Sequence, residues 1–429
     1  MKKFVEQRLA RQAKRLLARK KPVIIGITGS VGKSAAKNCI GAILGGSFNL
    51  RISPKNYNTE FGLPLTVLGL KATGRSAMGW LNNLIRGWWR SNFGGRNYPD
   101  TLVLEMATDH PGDISKLVAI APPNIGVVTT IGESHLEFFG SVAAIAAEKS
   151  RLAEAVPATG VAVLNRDDDL VWAMRKKTKA QVVSIGFHEE SDVRALADTV
   201  KLACRQEAGC GTHFKIEVDG ATMPIFIRGA LGWPTIYAVL AAVAVGRARG
   251  LNMMQMVERL KDFEPAPGRL HYVPGIKGTI LIDDTYNAAP KSVYAALEVL
   301  CELPLIAEDD KRFAVLGDML ELGQISDQAH ADVGRRAAEL GIDYLVLVGE
   351  RMLEARKAAV AAGMSEDRVL SFSKNLEAGK FVQSKMKPGD AILIKGSRGM
   401  QMEFVVKELM AEPLRAADLL PGDHQEWRV

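Results

Sequence analysis

The sequence predicts an α/β fold in two units: a nucleotide-binding unit on a mostly parallel sheet with a small antiparallel sheet attached, then a second α/β unit. Three observations predict it. At 429 residues the chain exceeds what one hydrophobic core organises. Short apolar runs repeatedly end in polar or glycine-rich loops and are separated by helical stretches, the pattern of a parallel sheet. Between two such series, FEPAPGR (263–269) places two prolines and a glycine where a hinge belongs.

In chain order, residues 1–21 form a basic amphipathic helix, with Val5, Leu9, Ala13 and Leu16 at helical spacing and lysines and arginines on the other faces. The nucleotide-binding unit follows over 22–262. KPVIIGITG reads as a buried strand entering a glycine turn, and GKSAAKNCIGAIL as the next helix. Further strands are predicted at 101–106, 124–131 and 160–165, and shorter alternating segments such as HFKIEV and MPIFIRG between about 180 and 230 supply the antiparallel part. After the helical run 235–250 and the hinge, the second unit (263–429) repeats the strand-to-loop pattern in TILIDDTYN, FAVLGDM, YLVLVGE and AILIKGS. Ligands of open α/β sheets bind at such strand ends.

Composition narrows the function classes. With 47% hydrophobic and 24% charged residues the chain has the apolar content for sizeable cores. The net charge of +7 is concentrated in residues 2–21, where nine lysines and arginines face only Glu6, so a nucleic-acid-tracking groove on the folded units is not expected. A second basic segment, Trp80 to Arg90, interleaves tryptophans with arginines. Both segments suit either peripheral contact with anionic membrane or a substrate-presenting protein, or plain packing on the domain. Cys39, Cys204, Cys210 and Cys301 fall in no metal-ligand spacing and read as reduced thiols. No run reaches the length of a membrane span and no signal-like segment opens the chain, so a cytoplasmic protein is expected.

The chemistry-bearing motif is Gly26-Ile-Thr-Gly29-Ser30-Val31-Gly32-Lys33-Ser34-Ala35 between strand and helix. Backbone amides at a helix N-terminus favour phosphate oxygens, Lys33 adds positive charge at the β/γ phosphates, and the Ser34 hydroxyl can ligate Mg²⁺. Ile27 occupies the first glycine position of the strict Walker spacing, leaving a shorter GxxGKS. The bland alternative is a glycine-rich turn with a surface lysine. Asp167, Asp168 and Asp169 read as a carboxylate-rich turn rather than a metal cluster, and His330 as a structural residue on a helix surface.

Six ordered motifs extend the reading: Asn56-Tyr-Asn58-Thr-Glu-Phe-Gly62, Glu105-Met-Ala, Ile131-Gly-Glu-Ser-His135, Asp283-Asp284-Thr-Tyr286-Asn287-Ala-Ala-Pro290, Val315-Leu-Gly317-Asp318-Met319 and Lys395-Gly396-Ser397-Arg398-Gly399-Met400. Together they resemble the Mur ligase family over roughly residues 22–410, and most of all its members that add D-Ala-D-Ala to a muramoyl-tripeptide. The resemblance implies a Rossmann-like second domain, an ATP-dependent ligase forming an acyl phosphate, and two Mg²⁺ ions. By it, Lys33 meets the phosphates, Ser34 and Glu105 hold one Mg²⁺, and His135 holds a second. Lys149, fourteen residues after His135, would be carbamylated beside that ion. Arg269, Asp284 and Asn287 would approach the nucleotide, while Asn58, Lys395, Ser397 and Arg398 are candidates for substrate contact, a structural turn being the alternative reading of the last three. Muropeptide and dipeptide are the implied substrates.

Three departures accompany the match. Such family members carry an N-terminal uridine-nucleotide-binding domain of about a hundred residues, a domain's worth of chain that the segment before the glycine-loop strand is too short to hold. Gly232-Trp233-Pro-Thr-Ile-Tyr237-Ala238 stands where the family has a His-Asn pair near adenine, so Trp233 or Tyr237 is expected to stack on the base. Ala289 replaces an asparagine. Alternative readings are a ligase of the same architecture for another acceptor, as in folylpolyglutamate or cyanophycin synthesis, and a nucleotide-gated binding subunit without catalysis.

Overall fold

The computed structural model describes residues 2–54, 57–74, 76–94, 97–133, 136–205, 209–261, 263–305 and 307–422. Its first unit opens with α1 (Lys2–Lys20), β1 (Val23–Thr28), α2 (Lys33–Leu44), β2 (Leu50–Ile52), α3 (Gly62–Leu68) and α4 (Ala77–Asn92). It continues through β3 (Thr101–Glu105), α5 (Asp113–Ile120), β4 (Ile125–Val128), α6 (Leu136–Phe139), α7 (Val142–Glu154), β5 (Val161–Asn165), α8 (Asp169–Trp172) and β6 (Gln181–Gly186). The antiparallel strands β7 (Val193–Arg205), β8 (Gly209–Val218) and β9 (Ala221–Arg228) precede α9 (Trp233–Ala248) and α10 (Met253–Leu260).

These strands make one sheet in the order β2-β3-β1-β4-β5-β6-β7-β8-β9. The antiparallel part is continuous with the parallel one, because the start of β7 pairs parallel with the end of β6 at Ile185 and Gly186 on one edge and antiparallel with β8 on the other. β1 lies centrally, between β3 and β4, which is why its sequence is an unbroken apolar run rather than an alternating one. α2 and α9 cover one face, and α9 is apolar all round because it is enclosed on nearly every side. α1, α3, α5 and α7 cover the other, with Val5, Leu9, Ala13, Leu16 and Leu17 of α1 inserted into that core.

The second unit runs β10 (His271–Pro274), β11 (Ile280–Asp284), α11 (Pro290–Glu302), β12 (Arg312–Gly317), α12 (Ser326–Glu339), β13 (Tyr344–Val348), α13 (Met352–Ala361), β14 (Val369–Phe372), α14 (Asn375–Lys385), β15 (Ala391–Lys395), α15 (Glu403–Leu409) and α16 (Ala416–Leu419). Its sheet order is β10-β11-β15-β12-β13-β14, parallel except for β10, with helices on both faces. Leu202, Cys210 and Leu231 of the first unit share an apolar cluster with the second, and Leu231 N–H donates to Leu270 O at 3.0 Å. The two sheets therefore meet across a packed seam.

Two expectations are corrected. Cys204 and Cys210 are not free thiols but a disulfide, because the β7–β8 register sets them directly opposite one another with Cα atoms 3.9 Å apart; Cys39 and Cys301 are free. His330 is not on a helix surface but fully buried, where its Nε2 accepts the Met319 N–H at 3.0 Å. Among the described residues no helix is long and apolar enough to cross a membrane.

Candidate active site

The glycine loop joins β1 to α2 at the C-terminal edge of the first sheet. Gly29 has φ +146°, and a Cβ there would stand 2.0 Å from Thr129 Oγ1; Gly32, the N-cap of α2, has φ +86°. Both positions thus require glycine, one for space and both for backbone. The loop is tied to the chain leaving β4: Ser30 N–H donates to Thr130 O at 2.7 Å, Ser30 Oγ accepts Gly132 N–H at 3.0 Å, and Thr129 Oγ1 donates to Val31 O at 2.5 Å. Lys33 Nζ curls over the loop and donates to Gly29 O at 2.6 Å and Ser30 O at 3.2 Å. Val31 and Ala35 complete the segment, and Gly32 caps α2 without a side chain, so its first-turn amides open toward the loop.

Glu105, the last residue of β3, is the hub beneath the loop. Its Oε2 accepts from Ser34 Oγ at 3.0 Å and pairs with Lys37 Nζ at 3.2 Å, while Oε1 accepts from Asn58 Nδ2 at 3.3 Å. Burial opposes its ionisation, but Lys37, Lys33, Arg269 and the Ser34 hydroxyl outweigh that and hold its pKa below the ordinary glutamate value. Lys33 is shifted down, first by burial, with Glu105 pushing back and Arg269 adding to the fall.

Lys149, in the middle of α7, is a buried side chain at 2% exposure, not the surface lysine its helix alone suggests. Burial, then the positive charge of Lys33, hold its pKa well below that of an ordinary lysine. Its neighbour Glu148 accepts from Gly112 N–H and Ile114 N–H at 2.9 and 2.7 Å, fixing α5 against α7. His135 lies outside the described residues, as does Asn56.

The second unit contributes a wall to the same cleft. Gly268 N–H donates to Asp283 Oδ2 at 2.9 Å and Leu270 N–H to Asp284 Oδ1 at 3.2 Å, so the paired aspartates ending β11 grip the segment that carries Arg269. The Arg269 guanidinium lies over the Tyr286 ring, 4.2 Å from its centroid, and its charge reaches both Lys33 and Glu105. Asp283 is fully buried, and burial pushes its pKa up to about 7. Asp284 Oδ2 pairs with Lys395 Nζ at 2.6 Å, and that ammonium also donates to Asn287 O at 2.8 Å. Lys395 is therefore buried and paired within the second unit.

Asn287, Ser397 and Arg398 line a cavity of about 180 Å³ together with Glu133 and Leu320. Ser397 Oγ accepts Leu320 N–H at 2.8 Å, and Arg398 pairs with Glu403. Across the seam Lys291 Nζ donates to Ile131 O at 2.9 Å.

Trp233 and Tyr237 meet Phe187 edge-on, with centroids 4.7 and 5.5 Å away. The Tyr237 hydroxyl donates to Asp167 Oδ2 at 2.9 Å, and Asp167 also accepts from Phe187 N–H and His188 N–H. Asp168 caps α8 and accepts Ile131 N–H at 2.8 Å. These aspartates are turn-builders, and the described residues contain no group of three His, Cys, Asp or Glu side chains suited to a metal.

Lys33, Ser34, Asn58, Glu105 and the charge of Arg269 thus converge, while Asn287, Ser397 and Arg398 line an adjoining wall. Sequence reasoning missed Lys37 and gave no role to Glu133 or Asp283, which lie within two of the six motifs. Lys37 carried a signal, standing one helical turn after Lys33 on the same face of α2.

Family models of the Mur ligase middle domain and of the Mur ligase glutamate ligase domain match residues 90–246 and 268–398. The chain is 32% identical to UDP-N-acetylmuramoyl-tripeptide–D-alanyl-D-alanine ligase of Mycobacterium tuberculosis over 404 residues, covering 91% of this chain and 73% of the relative. It is 30% identical to the enzyme of the same name from Bacillus subtilis, covering 91% and 76% of the two chains. Among solved structures, MurF ligase from Thermotoga maritima in complex with ADP superposes with a TM-score of 0.76 at 26% identity, over 94% of this chain and 83% of that one.

Proposed function

This chain belongs to the Mur ligase family, and on that premise we propose that it is an ATP-dependent, ADP-forming ligase joining the terminal carboxylate of a muramoyl-tripeptide to the amine of D-Ala-D-Ala in peptidoglycan precursor synthesis. The observation that carries the reading is the convergence of Ser34, Lys37 and Asn58 on Glu105 directly under the glycine loop, with Arg269 reaching in from the second unit.

In the proposed reaction the substrate carboxylate oxygen bonds to the γ-phosphorus as the β–γ bridging bond breaks and ADP leaves. The amine then bonds to the acyl carbon, loses a proton, and expels phosphate. The first step brings two anions together, so positive charge has to be in place beforehand. Lys33 and the α2 amides would meet the phosphates, and Arg269, steered by its stacking on Tyr286, would complete the charge from the other side. The donor set fits Mg²⁺, since a hydroxyl and an ionised carboxylate 3.0 Å apart are hard oxygen ligands. Ser34 and Glu105 would hold one ion, and a Lys149 carbamate with His135 a second; bound Mg²⁺ supplies charge neutralisation at the phosphate oxygens. The cavity beside Asn287, Ser397 and Arg398 would receive the dipeptide. A cytoplasmic location would supply the ATP such a reaction consumes.

The test is a mass spectrum of products from ATP, UDP-muramoyl-tripeptide and D-Ala-D-Ala, with Lys33→Ala as control. A new amide with stoichiometric ADP is expected. Amine-independent ATP hydrolysis, or no ADP with any muropeptide, would overturn the proposal.

A further inference from the structure

α4 carries an apolar stripe on its outer side. Its inward face carries the small or polar Asn83, Gly87 and Ser91, all buried. Gly87 lets α1 approach so closely that a Cβ there would stand 2.2 Å from Gln12 Oε1. Gln12 Nε2 donates to Leu84 O at 3.0 Å, and Arg19 donates to the carbonyls of Arg90, Asn92 and Gly94 at the end of α4. The helix is thus pinned in one rotation: Trp80 and Leu84 pack against the core, and its other large apolar residues point away from the domain. Met78, Leu81, Ile85, Trp88 and Trp89, with Phe93 just beyond, are each 52–75% exposed. At helical spacing the five within α4 share one stripe about 100° wide.

The surroundings of that stripe are basic. α4 holds no acidic residue, and Arg86 is exposed on it. On α1, Arg8, Arg11 and Arg15 are exposed and recur at the spacing of Gln12 and Arg19, the residues that reach α4, so they lie along the flank beside it. Arg8 and Phe4 of α1 line a shared groove of about 290 Å³ with Leu84, Ile85 and Trp88. An apolar stripe with tryptophans beside a row of arginines matches the boundary between acyl chains and anionic headgroups. A second copy of the chain fits poorly, since a two-fold contact here would set arginine against arginine.

We propose that the α1–α4 face docks this protein peripherally on anionic phospholipid, with the α4 stripe entering the interface and Arg8, Arg11, Arg15 and Arg86 meeting headgroup phosphates. The proposal is independent of the ligase reading. The apolar face of α1 itself is sealed in the core, so removing residues 2–21 would uncover Leu63 and Leu68 rather than test docking; point variants of exposed side chains are the right tool.

The experiment floats the full chain with vesicles of phosphatidylcholine alone or mixed with phosphatidylglycerol. Binding is expected only with the anionic vesicles, with a blue shift of tryptophan emission and a loss of roughly tenfold or more in high salt. Trp88→Ser/Trp89→Ser should weaken binding by roughly tenfold or more, and Arg8→Ser/Arg11→Ser/Arg15→Ser should erase the preference for anionic lipid, each with an unchanged thermal transition. Flotation with neither vesicle, equal flotation with both, or tryptophan variants that bind like the parent would overturn the proposal. So would a dimer in solution that the tryptophan changes dissociate.

Discussion

Lys37 Nζ stands 3.2 Å from Glu105 Oε2, and both side chains are nearly sealed from solvent. The pair sits one turn past Lys33, so α2 presents two ammonium groups to the floor of the glycine loop. Glu105 keeps its charge in that buried position only because cations surround it. Removing one partner of a buried pair costs more than replacing both. Lys37→Met should therefore destabilise the protein by roughly 3 kcal/mol, and Lys37→Met/Glu105→Gln should recover part of the loss. Urea unfolding of the parent and both variants measures this; an unchanged midpoint in the single variant would remove Lys37 from the account.

The burial that depresses the Lys149 pKa would also favour the carbamate proposed there. Carbamate forms when a neutral amine attacks carbon dioxide, and burial together with Lys33 favours the neutral amine. With ¹³C-labelled bicarbonate, the parent should show a carbamate carbon resonance that is missing from Lys149→Arg. That variant should also lose roughly a hundredfold or more in kcat, the scale of losing one preorganised charge-stabilising group. A parent spectrum without the resonance would leave Lys149 as a buried structural lysine.

Lys395 and Asp284 form the corresponding pair in the second unit, with side chains 2% and 12% exposed. Asp284 also receives the Leu270 amide, so the pair holds the segment bearing Arg269. Lys395→Met should cost roughly 3 kcal/mol of stability and lower kcat more than it raises the KM for dipeptide. Asp284→Asn keeps an oxygen for Leu270 but strands the buried Lys395 ammonium, so it should be destabilising as well. A Lys395→Met enzyme with parental kcat would separate this ion pair from the position of Arg269.

The sequence displayed the glycine loop, the strand-to-loop rhythm of both sheets and the sequence-local clusters, because those depend on neighbours a few residues apart. It showed α1 as amphipathic and that helix does bury its apolar stripe. The outward stripe of α4 was harder to see, since large apolar residues at helical spacing ordinarily mark the buried side. Lys395 read equally as a substrate-contacting or a structural loop residue, and its ion pair was not legible because its partner Asp284 is 111 positions away. The Cys204–Cys210 pair was hidden by a spacing that matters only once β7 and β8 fold into register. Burial of Lys149 likewise depends on the elements packed against α7, α5 and β1 among them, which the helix sequence alone does not display.

That disulfide makes a counting prediction. Alkylation of the denatured, unreduced protein should label Cys39 and Cys301 alone, and reduction should raise the count to four on intact-mass spectra. Four labels without reductant would show that the hairpin stands with both thiols free.

His330 should give the protein an acid-sensitive limb of stability. Its Nε2 accepts Met319 N–H at 3.0 Å, and Nδ1 stands 2.7 Å from Ser326 O, so the ring holds its proton on Nδ1 and only a neutral imidazole satisfies both contacts. Burial lowers its pKa below the ordinary histidine value, while the Ser326 carbonyl and the charge of Asp318 oppose the fall. As pH drops below about 6.5 the unfolded chain takes up this proton before the folded one does, so stability is full above that value and declines through the window beneath it. His330→Phe should cost roughly 1–3 kcal/mol at pH 8 by stranding the Met319 amide, and should flatten the decline below about pH 6.5. If the phenylalanine variant keeps the parental slope, the sensitivity belongs elsewhere, and His271, whose pKa burial lowers to about 4, is the group to change next.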